Sequence, residues 1–141
     1  MTPAEMKALA EKAIAAFGDP ARRDDYFELL YHDDVVLHGY APEPLTPKST
    51  VKAFYAQIFE GFPDAHVVVE QSLAEGDRLA LGFRFAGTHD GTFMGVPATG
   101  RPVDVPGMTI LRFEGGRCVE RWAVADFLSV LVQIGALPPP A

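Results

Sequence analysis

The chain has 141 residues, 48% apolar and 22% charged, the composition of one ordinary globular domain rather than of a disordered chain. Its 12 Lys and Arg against 19 Asp and Glu give a formal charge of −7, which argues against nucleic acid as a partner because phosphate binding needs a basic footprint. No apolar run approaches the roughly 18–20 residues of a membrane span, the N-terminus Met1-Thr2-Pro3-Ala4-Glu5-Met6-Lys7 lacks the basic-then-apolar order of a signal peptide, and the lone Cys118 excludes an internal disulfide; a cytoplasmic domain spanning residues 1–141 is expected.

The first half reads as helices. Met6, Leu9, Ala13, Ile14 and Phe17 fall at helical spacing and Gly18-Asp19-Pro20 ends the run. Tyr26, Phe27, Leu30 and Tyr31 predict a second short helix, and Val35, Val36 and Leu37 a first strand leading to His38. Pro42, Pro44 and Pro47 mark a loop, with Thr46-Pro47 as N-cap and first helical position of the next element. Val51, Phe54, Tyr55, Ile58, Phe59 and Phe62 then make the clearest amphipathic helix in the chain. The second half reads as strands. Val67 to Leu73 leads to the turn Glu75-Gly76-Asp77, and Leu79, Leu81, Phe83 and Phe85 alternate with period two. A Gly-rich loop runs from Gly87 to Gly100. Val103 to Phe113 and Cys118 to Val124 flank the hairpin signal Glu114-Gly115-Gly116-Arg117, and Leu128, Leu131 and Ile134 predict a closing helix. Helices first and hairpin-connected strands afterwards imply an α+β fold, a curved antiparallel sheet wrapped over N-terminal helices, with a pocket where the helices leave the concave face unfilled.

Nucleotide-phosphate loops and a GxSxG elbow are absent from the sequence. His32, His38, His66 and His89 show no metal-ligand spacing, so neither metal nor cofactor is expected. Three features could carry chemistry. His89, in the loop Gly87 to Arg101, is either a proton carrier under a lid or part of a long hairpin connection. Asp126 follows Glu120, Trp122 and Val124 on one face of an unbulged strand. On an apolar face its carboxyl would be desolvated and its pKa raised, yet it could equally cap the last helix. Arg112, in the apolar run Met108 to Phe113, is either a cation beside Asp126 that polarises a carbonyl or an ion-paired surface residue. Trp122, His38, Tyr55, Phe59 and Phe93 are candidate pocket-lining residues, although aromatic stripes at helical spacing are more often core.

Taken in order, Phe62-Pro63-Asp64, Glu75-Gly76-Asp77-Arg78, Gly87-Thr88-His89, the run Phe93 to Arg101, Arg112-Phe113, Gly116-Arg117, Glu120-Arg121-Trp122, Asp126 and Gln133 to Pro138 resemble the SnoaL-like polyketide cyclase or ester cyclase group of the nuclear transport factor two-like superfamily. The resemblance spans roughly residues 5–138. It implies a cystatin-like, cone-shaped α+β barrel, a homodimer, and a cofactor-free intramolecular aldol cyclisation of a small apolar carbonyl substrate. It also implies an acidic residue at the end of the last strand as general acid/base, which by motif position is Asp126. At the position of the family's histidine this sequence has Arg112, which cannot exchange a proton at neutral pH but could hold an enolate, with His89 as a second donor. The alternatives are an isomerase or epoxide hydrolase on the same cone, and a non-catalytic small-molecule-binding or dimerisation module.

Overall fold

The computed structural model describes residues 1–124 and 126–140. Helix α1 covers Pro3–Phe17; Thr2 accepts the Glu5 N–H at 3.1 Å while the Glu5 carboxylate accepts the Thr2 N–H at 3.0 Å, a capping box that fixes its start. A short 3-10 turn, Pro20–Arg22, leads into α2, Arg23–Leu30, which buries Tyr26, Phe27 and Leu30. No loop separates α2 from strand β1, Tyr31–His38, so Tyr31 opens the strand rather than closing the helix and β1 begins earlier than Val35. Helix α3 covers Lys48–Gly61. Pro47 is its N-cap, and the Pro47 carbonyl accepts the N–H groups of Thr50 and Val51; the helix therefore starts one residue later than expected.

Strands β2 (His66–Glu75), β3 (Arg78–Thr88), β4 (Pro102–Glu114) and β5 (Arg117–Val124) follow, and α4, Phe127–Gln133, closes the chain. The five strands form one curved sheet in the order β1-β5-β4-β3-β2. The sheet is mixed rather than antiparallel throughout. Its β2-β3-β4-β5 portion is a meander of hairpins, but β1 and β2 occupy opposite edges, α3 carries the chain between them, and β1 arrives parallel to β5.

The helices cover one face of this sheet, where Leu79, Leu81, Val103, Val105, Leu111 and Phe113 meet Met6, Ala13, Phe17, Phe27 and Val51 in a single core. On the other face the register aligns His38, Trp122, Ile110, Ala80 and Leu73 in one transverse row. Leu73, Met108, Ile110 and Val124 stand exposed on that side.

One irregularity sets which side chains of β5 point to the helices. Phe113 pairs with Cys118, but Arg112 pairs with Glu120, so Val119 is an extra residue in β5. Without it, Glu120 would lie opposite Leu111 and face the core. With it, Arg121 lies opposite Leu111, and both Cys118 and Arg121 are buried.

The turn after β1 brings the backbone of Gly39 against β5: at φ +89°, a Cβ there would lie 1.8 Å from the Ala123 carbonyl oxygen. Gly76 has a similar φ of +59° in the β2–β3 turn but nothing within 4 Å. Gly76→Ala should therefore cost only the left-handed backbone strain, about 1–2 kcal/mol. Gly39→Ala should cost clearly more, because the strand edge must also move. Urea denaturation of the two variants side by side checks this, and equal losses would contradict it.

Candidate functional site

A cavity of about 130 Å³ lies between the inner face of β3–β5 and helices α1, α3 and α4. Seven phenylalanines line it, Phe17, Phe54, Phe62, Phe83, Phe85, Phe93 and Phe127. Its polar lining side chains, among the described residues, are Tyr26, Tyr40, Tyr55, Arg121 and Asp126. Exposure grades along the lining. Asp126 is half-buried, whereas Tyr26, Leu30, Leu111 and Arg121 are buried. The mouth is therefore beside Asp126, at the start of α4, and the deep end is at Arg121.

The deep end is a polar cluster inside the core. Arg121 Nε donates to Thr109 Oγ1 at 2.8 Å, and Nη1 donates to the hydroxyls of Tyr26 at 3.0 Å and Tyr31 at 2.6 Å. The Thr109 hydroxyl is itself fixed, donating to the Trp122 carbonyl at 2.8 Å. The two phenols share a hydrogen bond of 3.0 Å, and the guanidinium lies 5.7 Å from the Tyr40 ring centre. Burial opposes the arginine charge, but the surrounding hydroxyls of Tyr31, Tyr40, Tyr26 and Tyr55 outweigh it, and the pKa stays above arginine's ordinary value. Burial likewise pushes the phenols of Tyr26, Tyr31, Tyr40 and Tyr55 upward, so all four are neutral. Cys118 nearby is an inert thiol, pushed by burial up to about 11.

Asp126 is the N-cap of α4. Its Oδ1 accepts the Ser129 N–H at 3.0 Å and its Oδ2 accepts the Ser129 hydroxyl at 2.6 Å. The Ser129 hydroxyl and then the Ser129 N–H hold the carboxyl below its ordinary pKa. This corrects the expectation of a raised value. The strand face expected to enclose it carries Trp122, and the indole lies on the opposite face of the sheet. There it stacks on His38, ring centres 5.5 Å apart, beneath the Arg78 guanidinium at 5.0 Å.

Other expected site residues also lie apart from the cavity. Arg112 shares the outer face with Trp122; its Nε and Nη2 donate to Glu120 Oε1 at 3.3 and 3.1 Å and its Nη1 to Glu114 at 2.7 Å. Glu120 is also 2.8 Å from His38 Nε2. Arg112 is thus an ion-paired surface residue, away from Asp126: it alternates with buried Leu111 and Phe113 along β4, and the extra residue in β5 turns its partner Glu120 to the same outer face. His38 and Trp122 belong to that cluster and do not line the cavity. His89 is fully buried, with its Nδ1 2.9 Å from Thr99 Oγ1 and accepting the Thr99 N–H at 3.2 Å. Its backbone pairs with Arg101 and Gly100 to close the Gly87–Arg101 loop. It latches that loop and does not face the cavity. Phe59 packs against Phe17 and beneath Arg23. Tyr55 and Phe93 do line the cavity. Arg121 escaped the sequence reading, which placed it opposite Glu120 and Trp122 but took the Trp122 face as the enclosed one.

A family model for the SnoaL-like polyketide cyclases matches residues 8–134. The chain belongs to the SnoaL-like polyketide cyclase family. Among solved structures it is similar to AclR of Streptomyces galilaeus, a provisionally assigned hydroxylase, at 31% identity and a TM-score of 0.85 over 99% of this chain and 87% of that one. It is also similar to a provisionally assigned SnoaL-like polyketide cyclase from Jannaschia sp. CCS1, at 29% identity, TM-score 0.79 and 98% of both chains. IdmH of Streptomyces antibioticus, provisionally assigned as a polyketide cyclase, matches at 26% identity and TM-score 0.74 over 89% of this chain and 98% of that one. No curated protein sequence matches. The helices over a curved five-stranded sheet are thus the SnoaL-like, nuclear transport factor two-like fold. Among the described residues no His, Cys, Asp or Glu side chains cluster as metal ligands would, and no helix is long and apolar enough to cross a membrane.

A depressed carboxyl pKa stabilises the fold above the ordinary Asp range, and the contribution is lost as pH falls through the folded value. Asp126 should titrate below the ordinary value of about 3.9, and Ser129→Ala should raise its midpoint toward that value. Carboxyl carbon shifts against pH, assigned with Asp126→Asn, measure both. A wild-type midpoint above the ordinary value would mean that the cap is not formed in solution.

Proposed function

We propose that this SnoaL-like protein performs cofactor-free acid/base chemistry on a small apolar carbonyl substrate, with intramolecular aldol closure as the reaction and Asp126 as the base. The observation that supports this reading is an apolar cavity whose mouth carries an ionised carboxylate on a rigid cap. The Asp126 carboxylate takes a proton from a carbon next to a carbonyl, and the C–H electron pair moves onto the carbonyl oxygen as an enolate. The enolate carbon bonds to a second carbonyl carbon of the same molecule. The resulting alkoxide takes the proton back from Asp126, so the carboxylate is regenerated and nothing is oxidised or reduced.

The cap also restricts the substrate. A carboxylate held low by Ser129 is a weak base, so the carbon it deprotonates must be acidified, as between two carbonyl groups. It is ionised across the neutral range, so the rate has no acid limb near neutral pH; the limb lies below the ordinary Asp range, and Ser129→Ala shifts it upward.

Asparagine caps helices as well as aspartate. Asp126→Asn should therefore keep its melting temperature close to wild type and lose about 10²–10⁴-fold in turnover of a 1,3-dicarbonyl test substrate. Turnover that survives this change would leave the cavity as a binding module without catalysis.

We also propose a second copy of the chain as partner, seated on the outer face of the sheet. Leu73, Met108, Ile110 and Val124 are exposed on that face, in or beside the row that holds Trp122, and a second copy would cover them. Light scattering should give a dimer mass for the wild type and a monomer mass for Ile110→Lys. A monomeric wild type at micromolar concentration would rule this out.

A further inference from the structure

The cluster around Arg121 does more than fill the core. Its Nε and Nη1 are committed to Thr109, Tyr26 and Tyr31, which fixes the plane of the guanidinium. Nη2 has no hydrogen-bond partner among the described residues, yet it is not a sealed orphan; the sealed, unpartnered side-chain atom among those residues is His89 Nε2. Arg121 lines the cavity, and Nη2 is the edge of its fork that the described residues leave uncommitted. The groups facing the cation are four neutral phenols and the Thr109 hydroxyl, and no carboxylate pairs with it among the described residues. A buried charge answered only by neutral acceptors still lacks a counter-ion.

Proton bookkeeping adds a second donor. Tyr26 and Tyr31 both accept from Arg121, and one of them donates to the other. The acceptor of that pair keeps its own O–H free, and when Tyr31 is the donor the free proton belongs to Tyr26, which lines the cavity. The cavity is also polarised along its length, with the Asp126 carboxylate at the mouth and the cation at the deep end. An anionic group is repelled where it enters and stable only beside Arg121.

We propose that Arg121 is a receptor for an anionic oxygen: the cavity takes an apolar, ring-sized ligand that carries an ionised oxygen, carboxylate or enolate, at its leading end. This deepens the acid/base reading and rests on it for the catalytic role. There the same fork would anchor the substrate by an ionised oxygen remote from the carbon that Asp126 deprotonates at the other end of the molecule. The walls are apolar, so the rest of the ligand contributes by burial.

Calorimetric titration of the full chain with 2-naphthoate and its neutral isostere 2-naphthamide tests the idea. The carboxylate should bind about 10-fold tighter or more, the usual strength of a hydrogen bond to a charged group. 2-Naphthol should show the absorption of its anion at a pH where the free compound is neutral. Arg121→Met should abolish both effects, and Arg121→Lys should retain part of the preference. Should Arg121→Met fail to fold, the wild-type comparison of charged and neutral probes still decides. Equal affinities, a preference that persists in Arg121→Met, or binding of neither probe overturns the proposal. A preference for naphthoate with no ionisation of naphthol assigns the oxyanion to a carboxylate; ionisation of naphthol assigns it to an enolisable carbonyl. Asp126→Asn should keep the preference. Turnover without anion preference overturns the role of Arg121 alone, and anion preference without turnover overturns the acid/base reading alone.

Discussion

A protonated arginine enclosed in an apolar core is the constraint around which this structure is arranged. Removing a guanidinium from water costs several kcal/mol unless its donors are met, and the acceptors come from three other elements. Tyr26 comes from α2, Tyr31 from β1 and Thr109 from β4. Because α2 runs into β1 without a loop, the two phenols sit 3.0 Å apart and accept from a single Nη1. Arg121 thereby ties the helical layer to both neighbours of its own strand. A network of this kind either satisfies all its members or destabilises the core, which leaves little freedom in how α2 meets the sheet.

That arrangement depends on one residue of chain length. Val119, the extra residue in β5, exchanges the faces of everything after it. Counting by twos from the buried Cys118 sends Glu120 and Trp122 inward. With the bulge, Arg121 and Ala123 point to the cavity, and Glu120 and Trp122 join His38 and Arg112 outside. The outer cluster and the inner cluster are thus two consequences of the same irregularity.

The fold was largely legible in the sequence because strong periodicity and turn chemistry mark its elements. The amphipathic run in α3, the alternation in β3 and the Gly-Gly hairpin between β4 and β5 each specify a local structure that tertiary packing does not overrule. The parallel pairing of β1 was not legible, since no local pattern reports which edge a lone strand joins. The site was legible only in part. Tyr55 and Phe93 could be placed by their phase on amphipathic or loop segments, and Asp126 by its position in a motif. Its environment could not, because a helix cap and a desolvated acid are written with the same residue. Arg112 and Arg121 are indistinguishable by composition; the bulge in β5 turns Arg121 to the core, and the regular alternation of β4 between buried Leu111 and Phe113 leaves Arg112 on the outer face.

The division of labour inside the cavity bears on how its shape can change. Its polar floor is a hydrogen-bonded unit in which a single change leaves partners stranded. Its walls are separate aromatic and aliphatic side chains from α1, α3, β3, β4 and α4, each lining the cavity but outside that unit. Wall residues such as Phe83, Phe85 or Phe127 can therefore change volume one at a time without disturbing the floor. The shape of the cavity can thus change by single substitutions while the side chains at its two ends stay the same.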